Sequence, residues 1–437
     1  MKNKQLNRKI SFSLLILALT ALVSSCNPLE PENPTNPEKQ WQFDLSSLPV
    51  DPPTALGQGG QLDLTVESPE NWTIVSSEEW LSVEPASGKA GKTTVTVTTQ
   101  SNPSREDRFA VLTLSAGDKQ RVDTFCQYAN IFKRSIYRTV NITNYFTVTY
   151  QPNVYFSRLF IVLPFPESNT YQEIRNMSYG DAEVGESGEG VKYLYYYTTN
   201  NNVLPSGERF IDANYTVDMY AVETDFEAIT HPDLPYDTKS TWYARYTGVC
   251  RGEGDGKYFN MINPNHSWVK EKADQLWEQS GHNRIEYARL CYECVASEFR
   301  YDIYDGDNSV EEIIERMAGD CGNQHAVWLS LMRNKGIPAR PVVMNSPDDF
   351  THVRGEFYMP GYGWIPVDVT YHQSGGDYFG KFTKDNLVVM NNDFGFTLSP
   401  TSQQNYYCNL LQVVYWLLWG NMKDGEVDGD CYFGYAR

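Results

Sequence analysis

Near residue 265 the spacing of apolar residues changes, and that change limits the folds open to the chain. Before it, apolar and polar residues alternate: Leu62, Leu64 and Val66, then Val95 and Val97, then Val140 and Ile142, then Phe146, Val148 and Tyr150. A period of two puts such residues on one face of a half-buried strand. After it, apolar residues recur every three or four positions, as in Val269, Ala273, Leu276 and Trp277, or Ile285, Ala288, Tyr292, Val295 and Phe299. That period belongs to helices with one buried face. A chain of 437 residues exceeds one ordinary core. The order of strands, helices and strands again predicts a multidomain protein, two all-β sandwiches followed by an α+β domain.

Within the last domain, Ser309 and Glu312 form a capping box ahead of Val310, Ile313, Ile314 and Met317, and this helix is expected to stop at Gly319. Another starts at Cys321 and runs through Trp328 and Met332 to Gly336-Ile337-Pro338. It is apolar on most sides, which predicts a buried central helix. Strands are expected over Pro341–Met344, Val353–Met359 and Trp364–Thr370. A three-residue loop, Pro360-Gly361-Tyr362, pairs Met359 with Gly363, sets His352 opposite Thr370 and leaves Asp368 diagonal to His352 on the same face. Gly361 or Gly363 supplies the positive φ.

The N-terminus bears on the compartment. Lys2, Lys4, Arg8 and Lys9 precede an apolar run from Ile10 to Val23, too short for the roughly 20 residues of a membrane-spanning helix. Residues 1–25 read as a signal peptide. Ser24 and Ser25 ahead of Cys26 resemble the lipobox of bacterial lipoproteins, which implies lipidation of Cys26. Such a chain would sit in the cell envelope, anchored to the outer membrane through lipid alone, periplasmic or surface-exposed. Residues 26–40 carry Pro28, Pro31, Pro34 and Pro37 and read as an extended linker of ~40 Å. Loss of four basic residues with the signal peptide leaves 32 basic against 55 acidic side chains, a net charge of −23. Nucleic acid is excluded as a partner on that balance.

Besides Cys26 and Cys321 there are six cysteines, enough for three disulfides but with 15 possible pairings. Cys291 and Cys294 lie in a helical pattern with no second pair at zinc spacing, so packed cysteines are expected there and no metal. No cofactor motif is present.

Residues 41–129 form the first predicted sandwich. Its segment WTIVSSEEWLSVEPASGKAGKTTVTVTTQSNPSREDRFAVLTL, with Trp72, Trp80, Gly88 and Arg108 as landmarks, resembles the BACON domain. The resemblance implies an immunoglobulin-like module associated with carbohydrate binding, and so a possible glycan partner, although the tryptophans suit a sandwich core. Residues 131–230 form the second β-domain, whose LPFPESNTYQEI looks like the domain that precedes transglutaminase-like cores. Residues 231–437 hold the α+β core and a C-terminal extension.

The chemistry centres on Cys321. A helix N-terminus stabilises a thiolate, and Gly319 and Gly322 leave space for a carbonyl beside the Cys321 amide. His352 and Asp368 supply an imidazole and a carboxylate on one hairpin, as nucleophile activation requires. GDCGNQHAVWLSLMRNKGIPAR followed by THVRGEFYMPGYGWIPVDVTY resembles the transglutaminase-core superfamily, papain-like in architecture, over about residues 231–392. The resemblance implies a catalytic triad of Cys321, His352 and Asp368, and Tyr301 as an oxyanion donor. Two features depart from the pattern. His325 stands four residues after the cysteine, where the family carries a small residue, and Val353 and Arg354 follow the histidine, where an aromatic is common. His325 is a candidate alternative base or a packed histidine. The resulting expectation is a thiol enzyme acting on peptide or protein amides, glycoproteins included, through a thioester, with hydrolysis ahead of transamidation. The rival is a non-catalytic glycan-binding or adhesion lipoprotein with a relic core.

Overall fold

A computed structural model describes residues 42–44, 56–152, 154–199, 209–254, 256–303, 309–420, 423 and 426–436. The signal segment, Cys26 and the proline-rich linker lie outside the described residues. The chain divides into two units after Asn130.

In the first unit the alternating segments make two four-stranded sheets. One has the order Gln42–Asp44, Gly60–Ser68, Gly91–Thr99, Leu81–Glu84; the other has Ser87–Gly88, Trp72–Ser76, Arg108–Ala116, Lys119–Gln127. Leu64, Val66, Trp72, Ile74, Val95, Val97, Leu112 and Leu114 fill the space between them. Trp72 is core, as aromatic burial favours. Its ring explains Gly88 on the facing strand, since a Cβ there would lie 2.4 Å from the indole. Trp80 is only partly covered and packs under the Arg108 guanidinium, 4.3 Å from the ring centre.

The second unit begins with a second sandwich. Its sheets run Glu183–Glu186, Lys192–Thr198, Phe156–Pro164, Tyr415–Gly420 and Gln172–Ser178, Arg209–Thr224, Phe132–Tyr150, Val427–Tyr435. Two of these strands come from the end of the chain. What reads in sequence as an extension of the α+β core therefore completes the β-domain instead. Trp416 and Leu418 turn into the same apolar core as Leu159, Ile161 and Phe146, which is why the run around residues 415–419 is so apolar. Residues 131–437 are accordingly one unit.

The α+β part holds a sheet of order Gly363–Val367, Phe350–Met359, Ala339–Ser346, Val388–Asn391. The helix Cys321–Asn334 packs on it and is flanked by the helices Ser267–Gln279, Arg284–Glu298 and Val310–Arg316. Every residue from Asn323 to Arg333 of the central helix is buried. Ser309 caps its helix by accepting from the Glu312 amide. That helix stops earlier than expected: Met317 takes a left-handed φ of 48°, and Ala318–Gly319 pairs in parallel with Arg300–Tyr301.

Met359 pairs with Gly363, with φ of 78° at Gly361 and 111° at Gly363. The last pair of this ladder is Gly355 with Val367. The strand expected to reach Thr370 ends there because the Asp368 side chain accepts from the Tyr371 amide and caps a short helix, Val369–Gln373. Thr370 is therefore helical and does not oppose His352.

Candidate active site

Cys321 is the first residue of the central helix. The preceding Asp320 and the third helical residue, Asn323, cap each other: the Asn323 amide donates to Asp320 Oδ1 at 2.9 Å and the Asp320 amide to Asn323 Oδ1 at 3.2 Å. The amides of Cys321 and Gly322 have no intrahelical acceptor by position. Cys321 is partly exposed, unlike Cys291, Cys294 and Cys408, which are buried.

His352 comes from the facing strand and is 5 % exposed. Its Nε2 lies 2.8 Å from Asp368 Oδ2. This leaves Nδ1 for the Cys321 thiol, which lies close enough to act on the imidazole. Burial alone would push the imidazole towards its neutral form. The Asp368 carboxylate outweighs burial, the thiol adds to it, and the group is raised to about 9. The Tyr371 ring stacks on His352 with 4.5 Å between centres and fixes its plane.

Asp368 has no solvent exposure. Burial penalises its charge, but His352 and Arg354 together hold the carboxyl well below the usual carboxylate range. Its other oxygen, Oδ1, accepts from the Tyr371 amide at 3.0 Å and the Thr370 hydroxyl at 3.2 Å. The capping geometry that ends the strand thus also orients the carboxylate.

The two departures from the family pattern both belong to this site. Arg354 Nε approaches Asp368 Oδ2 at 2.7 Å, a close charge contact off the N–H line rather than an aligned hydrogen bond. Arg354 also pairs with Asp385 and donates to Thr383 Oγ1 at 3.3 Å. His325 is fully buried, with both ring nitrogens engaged by the main chain at Cys321 and Val369. Burial pushes it down to about 4, against the pull of Asp368, so it stays neutral, and with both nitrogens held by the main chain it has no lone pair to turn to the thiol as a second base. In sequence both residues stood out only as unusual, because Val369, Thr383 and Asp385 come to them from distant segments.

Tyr301 pairs with Gly319 two residues before Cys321 and is half exposed. Partial burial and then the nearby charge of Cys321 and Asp320 hold its hydroxyl protonated, able to donate. Gln412, from the returning C-terminal segment, supports the site from behind: its amide donates to His352 O at 3.0 Å and to Met344 O at 3.1 Å.

The other described cysteines of this unit lack such surroundings. Burial pushes the thiol of Cys250 up to about 11, those of Cys294, Cys408 and Cys431 up to about 12, and that of Cys291 up as well. None of the seven described cysteines is in a disulfide, so the three bridges allowed by their number are not formed among the described residues. Cys291 and Cys294 share one helix and pack in its buried face. Among the described residues no group of His, Cys, Asp and Glu is arranged to hold a metal, and no helix is long and apolar enough to cross a membrane.

Residues 270–369 match the transglutaminase-like superfamily, and residues 53–130 match the viral BACON domain. The chain therefore carries a transglutaminase-like core and a BACON-like module. An uncharacterised protein of Haemophilus influenzae is 24 % identical over 254 residues, 47 % of this chain and 62 % of the relative's length. Among solved structures, a candidate cysteine protease from Cytophaga hutchinsonii is similar over 67 % of this chain and 94 % of its own, with 14 % identity and a TM-score of 0.40. A candidate protease from Parabacteroides distasonis is similar over 71 % and 63 %, with 8 % identity and a TM-score of 0.22.

Proposed function

We propose that this chain is an exported thiol enzyme, lipid-anchored through Cys26, that cleaves or exchanges amide bonds of peptides or proteins through a thioester. The observation that carries the reading is the position of His352, with one nitrogen 2.8 Å from buried Asp368 and the Cys321 thiol near enough to act on the same imidazole. A solvated cysteine with no task needs neither partner. The pair works as thiolate and imidazolium. Sulfur attacks the amide carbonyl carbon, and the resulting oxyanion sits where the Cys321 amide and the Tyr301 hydroxyl can donate. His352 gives its proton to the departing amine nitrogen, the C–N bond breaks, and a thioester remains. Water then attacks that carbonyl, His352 takes its proton, and the C–S bond breaks, which returns Cys321 as thiolate and frees the carboxylic acid. An amine in place of water gives transamidation. Hydrolysis is the favoured outcome of the reading, since transamidation needs a second site that admits an amine ahead of water.

The test is mass-spectrometric mapping of new peptide termini after bacterial envelope proteins are incubated with wild-type or Cys321→Ala protein. Termini that appear only with the wild type support the reading. Identical maps, with Cys321→Ala folded as the wild type, would leave the glycan-binding lipoprotein with a relic core as the better account.

A further inference from the structure

Two histidines cross the same gap between the central helix and the segment carrying Asp368. His352 crosses it with side-chain contacts and faces the thiol. His325 crosses it deeper, through the main chain. Its Nδ1 lies 2.8 Å from the carbonyl oxygen of Cys321, and its Nε2 lies 3.1 Å from the amide nitrogen of Val369, the residue after Asp368. An amide nitrogen is a donor and a carbonyl oxygen an acceptor, so Nε2 must accept and Nδ1 must carry the proton. The geometry therefore fixes a single neutral tautomer. The imidazolium form would turn a donor towards the Val369 N–H and lose that bond, keeping the nearby Val367 carbonyl as its partner.

The surroundings are shaped for this ring. Gly355 lies opposite, and a Cβ there would come 3.3 Å from His325 Cδ2 and 2.7 Å from the Trp328 ring. A second link runs alongside: Gln373 Nε2, at the end of the helix that Asp368 caps, donates to Gln324 Oε1 at 2.9 Å. The small residue common in the family at position 325 could reach neither main-chain group.

We propose that His325 is a positioning residue, which clamps the backbone of the Cys321 nucleophile to the backbone beside Asp368 and so sets the span that His352 must bridge. The inference rests on the thiol-enzyme reading. Loss of the clamp leaves the Val369 amide without its acceptor and lets the Asp368 cap shift relative to the thiol. A displacement of about 1 Å in such a constellation is enough to cost on the order of 100-fold in rate. The Gln324–Gln373 link and the buried helix keep the fold in place, so the loss is one of alignment.

Two measurements test it. In the wild type, long-range proton–nitrogen correlation of the imidazoles at pH 6, assigned against His325→Gln, should show His325 as the Nδ1–H tautomer. The Nε2–H tautomer, or an imidazolium, would overturn the clamp. The second is the rate at which iodoacetamide alkylates Cys321 at pH 6, a readout that needs no substrate and that a merely structural residue would not move in folded protein. His325→Ala should slow it tenfold or more. His325→Gln, whose amide oxygen reaches the Nε2 position and can accept from Val369, should restore part of the loss. Fast alkylation in the wild type and equally fast alkylation in both folded variants would overturn the clamp. A wild-type Cys321 no faster than the other thiols would overturn the thiol-enzyme reading itself.

Discussion

Arg354 and Asp368 form an ion pair with no solvent exposure on either side chain, and the Asp368 oxygen that Arg354 approaches is the one that holds His352. One carboxylate oxygen thus serves a permanent cation and an imidazole together. Such a site is tolerable because Asp385 shares the arginine's charge. Replacing Arg354 by Met strands two carboxylates beside an apolar group, and removal of one partner of a buried pair costs about 3–5 kcal/mol. Urea unfolding should show a loss of that size, and adding Asp385→Asn to Arg354→Met should recover part of it. An Arg354→Met protein as stable as the wild type would mean that the pair is not buried as described.

Asp368→Asn keeps the shape of the side chain but removes the charge that holds His352 above its ordinary range. It also presents an amide where the Nε2 proton is accepted, which favours the wrong tautomer. Turnover should fall by a factor on the order of 10⁴, by analogy with serine triads, and the fall should appear in kcat with KM little changed. A wild-type kcat would remove Asp368 from the mechanism.

The two site histidines have opposite linkage, so together they place the pH of greatest stability. His352 is raised to about 9 from 6.5, so its contribution is full below 6.5 and is lost as pH rises from there through 9. His325 is lowered to about 4, so the unfolded chain alone takes up its proton between 6.5 and 4, and stability falls as pH drops through that window. Asp368, held low, adds a further loss in more acidic solution. From these groups the denaturation temperature should peak near pH 6.5 and fall on both sides. In His325→Gln the loss between pH 6.5 and 4 should shrink, while the loss towards pH 9 should stay.

Gln412 links the C-terminal return to the catalytic strand. Gln412→Leu removes two hydrogen bonds to the His352 and Met344 carbonyls, each worth about 1 kcal/mol. Thermal unfolding should show a loss of about 2 kcal/mol. Hydrogen exchange should quicken first in the strand Phe350–Met359. Unchanged exchange there would mean that the C-terminal segment does not support the site.

How much of this was legible in sequence depended on range. The central helix, its start at Cys321 and the Met359–Gly363 register are local patterns of capping, period and loop length. The end of the last strand at Val367 was missed because the hydrogen bond from the Tyr371 amide to Asp368 overrides strand propensity within three residues. The return of Tyr415–Gly420 and Val427–Tyr435 was not legible, since Thr147 meets Asp430 across 283 residues of sequence. His325 and Arg354 were visible as odd residues at marked positions, but a polar residue's role follows from its partners, and Val369 and Asp385 are brought to them only by the hairpin and its following loop. The signal from sequence was a buried-looking histidine and arginine in an otherwise apolar pattern, which points to a polar network without naming it.

The central claim is that His352 makes Cys321 a nucleophile, and the direct measurement is the alkylation rate of each cysteine at pH 6, resolved by peptide mass spectrometry, in the wild type and in His352→Gln. Cys321 should react at least tenfold faster than any other cysteine in the wild type, and that advantage should vanish in His352→Gln while the slow background of the other thiols stays the same. An equal rate for Cys321 and the other thiols, or an advantage that survives the loss of His352, would contradict the account.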